Sequence, residues 1–504
     1  MSISFNNIPA GGGIKVPLFY AEMNNSQANY GVSTNLQTLL IGQMLASGSA
    51  VANVPVLVSS VSNAIALFGR GSMLARMMAI YRQTDPLGSV WAIPVPDNGS
   101  GVQATGTITV AGPATAAGTI NLYIAGQLVQ VAVSSTDTAN TVAASINAAI
   151  NAASDLPVTS TVSSAVVTMT CRWKGATGND IMVSDSFLGA AGGQTLPTGI
   201  TLTYAAMASG ATNPLLSTAI TAMGNTPFDY IIHPYTDSTS QAAMTLQMND
   251  TVGRWSYVQQ VYGHVYTALR GTLSALVTAG NLLNDPHLTM AAIDVDCPHP
   301  SWEYAAAYGA ANAIGIKQDP ARPTQTLPLN GLLAPRQGKR FLFSDMNSLL
   351  SNGVATSSVV VGQLQVQRAI TTYQKDAYGN ADSSYLDSET LHLSAYILRY
   401  LASWITSKYP RHKVAADGTR YGSGNAIVTP AVIRGDLIAA YNQLMNLGLV
   451  QNAAAFAANL LVQINGTNPN RIDVLLPPEY VGQLRIFALL NQFRLTDPPV
   501  PVSS

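Results

Sequence analysis

The sequence predicts a multi-domain α/β (α+β) protein: an α/β core domain interrupted by an inserted β-rich domain, with extended N- and C-terminal arms. Three observations lead there. Short apolar runs alternate with helical periodicities over 31–98, and the same alternation resumes over 211–329. Between them, residues 99–210 shift to Thr, Val, Ala and Gly and hold a strand-helix-strand pattern of their own, which reads as an insertion. Residues 1–30 and 483–504 read as arms, and 330–482 as a C-terminal core domain.

The first arm has a glycine joint, Gly11, Gly12 and Gly13, followed by Ile14, Val16, Leu18 and Tyr20 alternating in strand fashion. Fourteen extended residues reach roughly 45 Å. Pro17 bars this strand from the middle of a sheet, so the edge of another sheet is its expected destination. An edge of its own domain is the plainer reading.

In the α/β part, Leu39–Gly42, Val54–Val58 and Val90–Val95 read as strands, and Ser72–Gln83 as a helix. In the insertion, 106–110, 118–124, 128–133, 166–172 and 181–183 read as strands, Ala125-Gly126 as a hairpin turn, and 138–153 as a helix with Val142, Ile146 and Ile150 four apart. The α/β pattern then continues: strands at 228–233, 264–269 and 288–295, helices at 240–261, 273–283 and 301–316. Residues 330–352 read as loop, 362–374 as a strand, 385–409 and 430–447 as helices, and 472–476 and 484–495 as strands. Both faces of the last are apolar, Leu484, Ile486 and Leu490 opposite Phe487, Leu489 and Phe493, so more than its own domain must cover it.

Charge excludes several classes. Only 10% of the 504 residues are Asp, Glu, Lys or Arg, and 24 basic against 25 acidic groups leave a net charge of -1. That balance argues against disorder and against a nucleic-acid binder. Membrane insertion is not expected, because no run of about 18 apolar residues occurs. The opening segment has no basic and apolar leader pattern, and Cys171 and Cys297 are the only cysteines, so synthesis in a reducing cytoplasm is the expectation. A surface so poor in charge associates readily, which points to assembly as the function. Residues 1–299 carry 8 basic and 13 acidic groups, net -5, and residues 300–504 carry 16 and 12, net +4. Such opposed segments can pair within one subunit or between neighbours.

Enzyme motifs are absent: no G-x-G-x-x-G follows a strand, and there is no P-loop, H-E-x-x-H or G-x-S-x-G. One cluster stands out, Asp294, Asp296, Cys297 and His299 at the end of a strand, where α/β sites usually lie. A metal-dependent enzyme using Asp294, Asp296 and His299 is therefore an alternative, and a strand-end loop is the simpler reading. No catalytic residue, cofactor or metal is expected. A self-assembling surface-layer protein is a second alternative that would need an export signal.

Several ordered stretches resemble one family. They are Ser2-Ile-Ser-Phe-Asn-Asn-Ile-Pro9 before the glycine joint, Leu329-Asn-Gly-Leu-Leu-Ala-Pro335, Leu349–Val354, Val366-Gln-Arg368-Ala-Ile-Thr-Thr-Tyr373, Arg471–Val474 and Leu484–Phe487. Together they resemble the contractile tail sheath proteins of Mu-like phages. The resemblance implies a virion structural subunit that forms a homo-oligomer, stacked hexameric rings in a helical polymer around a tail tube protein, in contact with baseplate and neck or terminator proteins. It implies strand exchange through Ile14, Val16, Leu18, Tyr20, Leu484, Ile486 and Phe487 with a hinge at Gly11, Gly12 and Gly13. It also implies assembly in the host cytoplasm, contraction that drives the tube through the host envelope for genome ejection, and no direct contact with nucleic acid. The insertion is expected to lie outermost.

Overall fold

The computed structural model describes residues 36–422 and 424–495. The arm residues Ile14, Val16, Leu18 and Tyr20 and the joint Gly11, Gly12 and Gly13 lie outside the described residues. Two compact units are present, one of residues 37–392 with 480–495, the other Leu393–Glu479.

The first unit is built on a six-stranded sheet. Its order is Leu288–Ile293, His264–Arg270, Phe228–Ile232, Gln37–Gln43, Val90–Val95 and Val56–Leu57, all parallel except the last. The central strand sets Leu39 beside Trp91 and Ile231, and Leu40 beside Ala92 and Ile232. Leu39, Leu40 and Ile41 are all fully buried, as a parallel strand covered on both faces requires. Helices Met73–Tyr81 and Ser301–Gln318 pack on each other and on this sheet. Ser301–Gln318 is rich in Ala and buried nearly all round, and Gly309 lets it approach Ile232: a Cβ there would stand 2.4 Å from Ile232 Cδ1.

Residues 103–208 form two antiparallel sheets. One has the order Thr201–Ala208, Gln103–Ala111, Val166–Lys174, Val158–Ser163, and the other Gln127–Val133, Gly118–Ile124, Val183–Asp185. Helix Ala139–Ala152 packs against both, with Val142, Ile146 and Ile150 buried and Thr138 capping its start at 3.2 Å from the Thr141 amide. Ala125 and Gly126 take φ of 50° and 77°, as a two-residue hairpin requires. The incoming and outgoing chains are stitched together, Val102 N to Ala211 O at 3.0 Å and Asn98 Nδ2 to Asn213 O at 3.2 Å.

Four expectations need correction. The helix expected over 240–261 spans Ser238–Met248, because Asn249 Oδ1 takes the amides of Thr251, Val252 and Gly253 and turns the chain. The strand expected over 362–374 is Gln363–Arg368, hairpinned with Thr356–Val360, and the loop 330–352 holds helix Phe343–Leu350. The strand expected over 484–495 has no ladder within the described residues.

The second unit holds helices Pro430–Asn446 and Ala453–Asn459, the continuation of helix Ser388–Lys408, and short strand ladders. Tyr441 and Phe456 stack with centroids 3.7 Å apart among Ile433, Leu437, Leu444 and Leu460. An antiparallel ladder in this unit pairs strand Leu461–Ile464 with strand Ile472–Leu475.

Candidate functional site

A parallel α/β sheet offers a ligand crevice outside the carboxyl ends of its strands, where the strand order reverses. Here that point lies between Gln37–Gln43 and Phe228–Ile232. It is filled by the chain itself. Gln43 is buried and its Nε2 donates to Asp97 Oδ1 and to Lys174 O, both at 2.7 Å. His233 follows the second strand, accepts the Tyr235 amide at 3.2 Å and stacks on that ring. Burial lowers the His233 imidazole to about 4, so it is a neutral acceptor rather than a base at neutral pH.

The cluster at 294–299 also has its partners nearby. Asp294 accepts the Phe341 amide at 2.7 Å, and burial raises its carboxyl above the ordinary range. Burial works the same way on Asp296, but hydrogen bonds from Arg336 outweigh it and hold that carboxyl low. His299 Nδ1 lies 2.8 Å from Glu303 Oε2, and Glu303 also takes Arg76 Nε at 2.8 Å. Cys297 is buried, which pushes its thiol up to about 12. The structure therefore turns Asp294, Asp296 and His299 toward three different partners. Among the described residues no group of three His, Cys, Asp or Glu is placed to hold a metal.

What gathers this loop is a residue that spacing does not reveal. Arg270 Nη1 donates to the carbonyls of Asp294, Val295 and Cys297 at 3.1, 3.3 and 2.5 Å, and its Nη2 donates to His299 O at 2.6 Å. Its Nε meets Asp180 Oδ1 at 2.5 Å. Backbone acceptors leave no trace in a motif search, so only the fold identifies the role.

Among the described residues the C-terminal segment leaves an apolar stretch open. Leu484, Ile486 and Phe487 are 70%, 80% and 79% exposed, and Leu489, Leu490, Phe493 and Leu495 are exposed to a similar degree. Monomeric proteins rarely present so many large apolar groups in one stretch unless another surface covers them. The segment carries no regular secondary structure over 482–494, so among the described residues it is not already part of a sheet.

A matching feature stands in the unit Leu393–Glu479. Leu461–Ile464 and Ile472–Leu475 form a two-stranded antiparallel sheet, and among the described residues neither strand has another neighbour in it. Leu461, Val474 and Leu475 on it are exposed. Two edges with apolar side chains are a template for strand addition.

Comparison with known proteins gives consistent matches along the chain. The family model of the phage tail sheath protein beta-sandwich domain matches residues 99–201, that of the central domain 209–372, and that of the C-terminal domain 380–494. The Mu-like prophage FluMu tail sheath protein of Haemophilus influenzae is 41% identical over 497 residues, covering 98% of this chain and 100% of the relative. Among solved structures, the sheath tail protein of Desulfitobacterium hafniense aligns at a TM-score of 0.48 with 11% identity, over 93% of this chain and 97% of that one. The helical sheath of the anti-feeding prophage in its contracted state aligns at 0.48 with 11% identity, over 96% and 100%.

Proposed function

The chain belongs to the phage tail sheath family, in its Mu-like form, and from that premise we propose that it polymerises as stacked six-fold rings around a tail tube and contracts to drive the tube through the host envelope. The observation that supports this most directly is the exposed apolar segment from Leu484 to Leu495, which the described residues do not cover. In this reading it adds as a strand to an open edge of Leu461–Ile464 or Ile472–Leu475 on another copy, and Ile14, Val16, Leu18 and Tyr20 form the second exchanged strand, hinged at Gly11, Gly12 and Gly13. A head-to-tail contact that does not close on itself generates a helix, and main-chain hydrogen bonds persist while rigid bodies rotate about flexible joints.

The proposed partners are further copies of the chain, the tube protein, and baseplate and neck proteins. Nucleic acid and membrane are not touched, and no chemistry is catalysed. The protein is placed in the virion tail after assembly in the bacterial cytoplasm. In this reading the domains are an arm over 1–30, an α/β domain of 31–98 and 211–329, an outermost insertion over 99–210, a core over 330–482 and a closing arm over 483–504. Deletion of Ser2–Tyr20 tests the function: a folded chain that forms no sleeves by negative-stain microscopy is expected, and sleeves of normal diameter would sink strand exchange.

A further inference from the structure

The C-terminal segment inverts the usual order of burial. The side chain of Arg485 is only 10% exposed, whereas Ile486 beside it is 80% exposed. Alternate side chains of an extended chain point to opposite faces. Half a turn about the backbone would bury Leu484 and Ile486 and free the guanidinium, the arrangement that transfer energies alone favour.

A seat made for the cation explains the inversion. Asp387 is already held by Arg368, whose Nε and Nη2 meet its two oxygens at 2.9 and 3.0 Å. Glu389 is fully buried and takes the amide and hydroxyl of Thr324, each at 2.9 Å; Arg368, paired with Asp387, also acts on its charge, but these two bonds come from neutral donors and give it no hydrogen-bonded cation. Arg485 Nη2 supplies one, 3.0 Å from Glu389 Oε1 and 3.4 Å from Asp387 Oδ1. The neighbouring residues are fastened as well. Gln483 Oε1 accepts from Arg485 Nη2 at 2.5 Å while its Nε2 donates to Ala321 O at 3.2 Å, and Gln325 Nε2 donates to Leu484 O at 3.4 Å. Residues 483–485 are thus tied to the body by these bonds, although the Leu484 side chain is itself exposed, and the stretch without such ties begins at the next residue.

We propose that Arg485 is the positioning residue of the C-terminal segment. Seated on Glu389 and Asp387, it fixes the point and direction in which residues 486–495 leave the body, so that they meet a second copy of this chain in a single register. A slip of one residue would exchange the two faces of the added strand, and an anchor at its first residue forbids the slip. Ten extended residues span about 33 Å, and the register set at their start carries along the whole stretch. The proposal rests on the strand-exchange reading above.

The test uses the full chain, polymerised in vitro, with four forms compared: unaltered, lacking 487–504, Arg485→Gln and Arg485→Lys. Sedimentation reads the critical concentration for polymer. Register is read by disulfide trapping between Leu475→Cys and a single cysteine placed at Ile486, Phe487 or Leu489, with an added oxidant. The truncated chain is expected to stay monomeric. Arg485→Gln is expected to raise the critical concentration by about tenfold, equivalent to about 1.4 kcal/mol, and to spread trapping over all three positions, with Arg485→Lys restoring one preferred position. Polymerisation of the truncated chain would overturn strand exchange and this proposal with it. A monomeric truncation beside an Arg485→Gln form with unaltered critical concentration and trapping would overturn the anchor alone. Should Arg485→Gln fail to fold by circular dichroism, Glu389→Gln, whose amide oxygen still accepts from Thr324, takes its place: raised critical concentration and spread trapping support the anchor, and unaltered values overturn it.

Discussion

Asp180 and Arg270 lie 90 positions apart and share a hydrogen bond of 2.5 Å. The second oxygen of Asp180 takes the amide of Ser301, also at 2.5 Å, and so caps helix Ser301–Gln318 from outside it. Nearby, Trp173 meets Trp302 edge to face with centroids 5.2 Å apart, and both are fully buried. The antiparallel sheets are therefore fastened to the parallel one through a desolvated ion pair, a cap and an aromatic contact.

Asp180→Asn is expected to lower stability by about 3 kcal/mol, since it strands a buried guanidinium and weakens the cap. Urea unfolding measures the loss. Limited proteolysis should then cut near residues 98–101 and 209–213 faster than in the unaltered chain. Unchanged unfolding and cleavage would remove Asp180 from this role.

Acid should destabilise the fold. The His233 imidazole falls to about 4 through burial, which outweighs the opposing Asp237 charge. His264 is lowered well below its ordinary value by burial and by His392 and His287. The folded state keeps these rings neutral while the unfolded chain binds protons from about pH 6.5 downward. Stability is full above that pH and is lost as pH falls toward 4, His233 alone accounting for about 3 kcal/mol. Urea midpoints at pH 7 and pH 5 report it, and equal midpoints would contradict it.

Gly309→Ala sets two effects against each other. Alanine favours a helix by about 1 kcal/mol over glycine, but its methyl would sit 2.4 Å from Ile232 Cδ1 in the packed face. Overpacking is expected to win, with a net loss of about 1–3 kcal/mol. Adding Ile232→Val should recover part of it, read by thermal unfolding.

Val361→Asn is expected to stabilise by about 1 kcal/mol, because a β-branched residue is costly in the left-handed region and asparagine tolerates it. Val361 has φ 49° at the tip of the 356–368 hairpin and is fully exposed, so no packing is lost. Chemical unfolding checks the sign.

Period and punctuation make much of this fold legible. The run Leu39–Ile41, the four-residue spacing of Val142, Ile146 and Ile150, and the Ala125-Gly126 turn appear where the sequence pattern places them. Strand Val158–Ser163 is not legible, since it is short of apolar side chains and owes its place to its neighbour across the sheet, and strand Thr201–Ala208 is missed although Leu202 and Tyr204 alternate with threonine at its start. The span 249–261 has helical apolar spacing, yet Asn249 and the buried Arg254, which donates to Tyr262 O and Thr226 O, organise it as a loop. Apolar alternation in 484–495 is visible in the sequence. That Arg485 is its buried end is not, because charge content says nothing of where a particular cation is seated.

The loop 294–299 carries metal-ligating residue types, and Arg270 does for it what an ion would do, collecting four carbonyls around one positive charge. A bound ion departs on dilution or chelation. This cation is covalently tethered to strand His264–Arg270 and cannot dissociate, so its place beside the loop is fixed by the sheet itself. The loop's shape is set without a separate binding equilibrium and is insensitive to chelators.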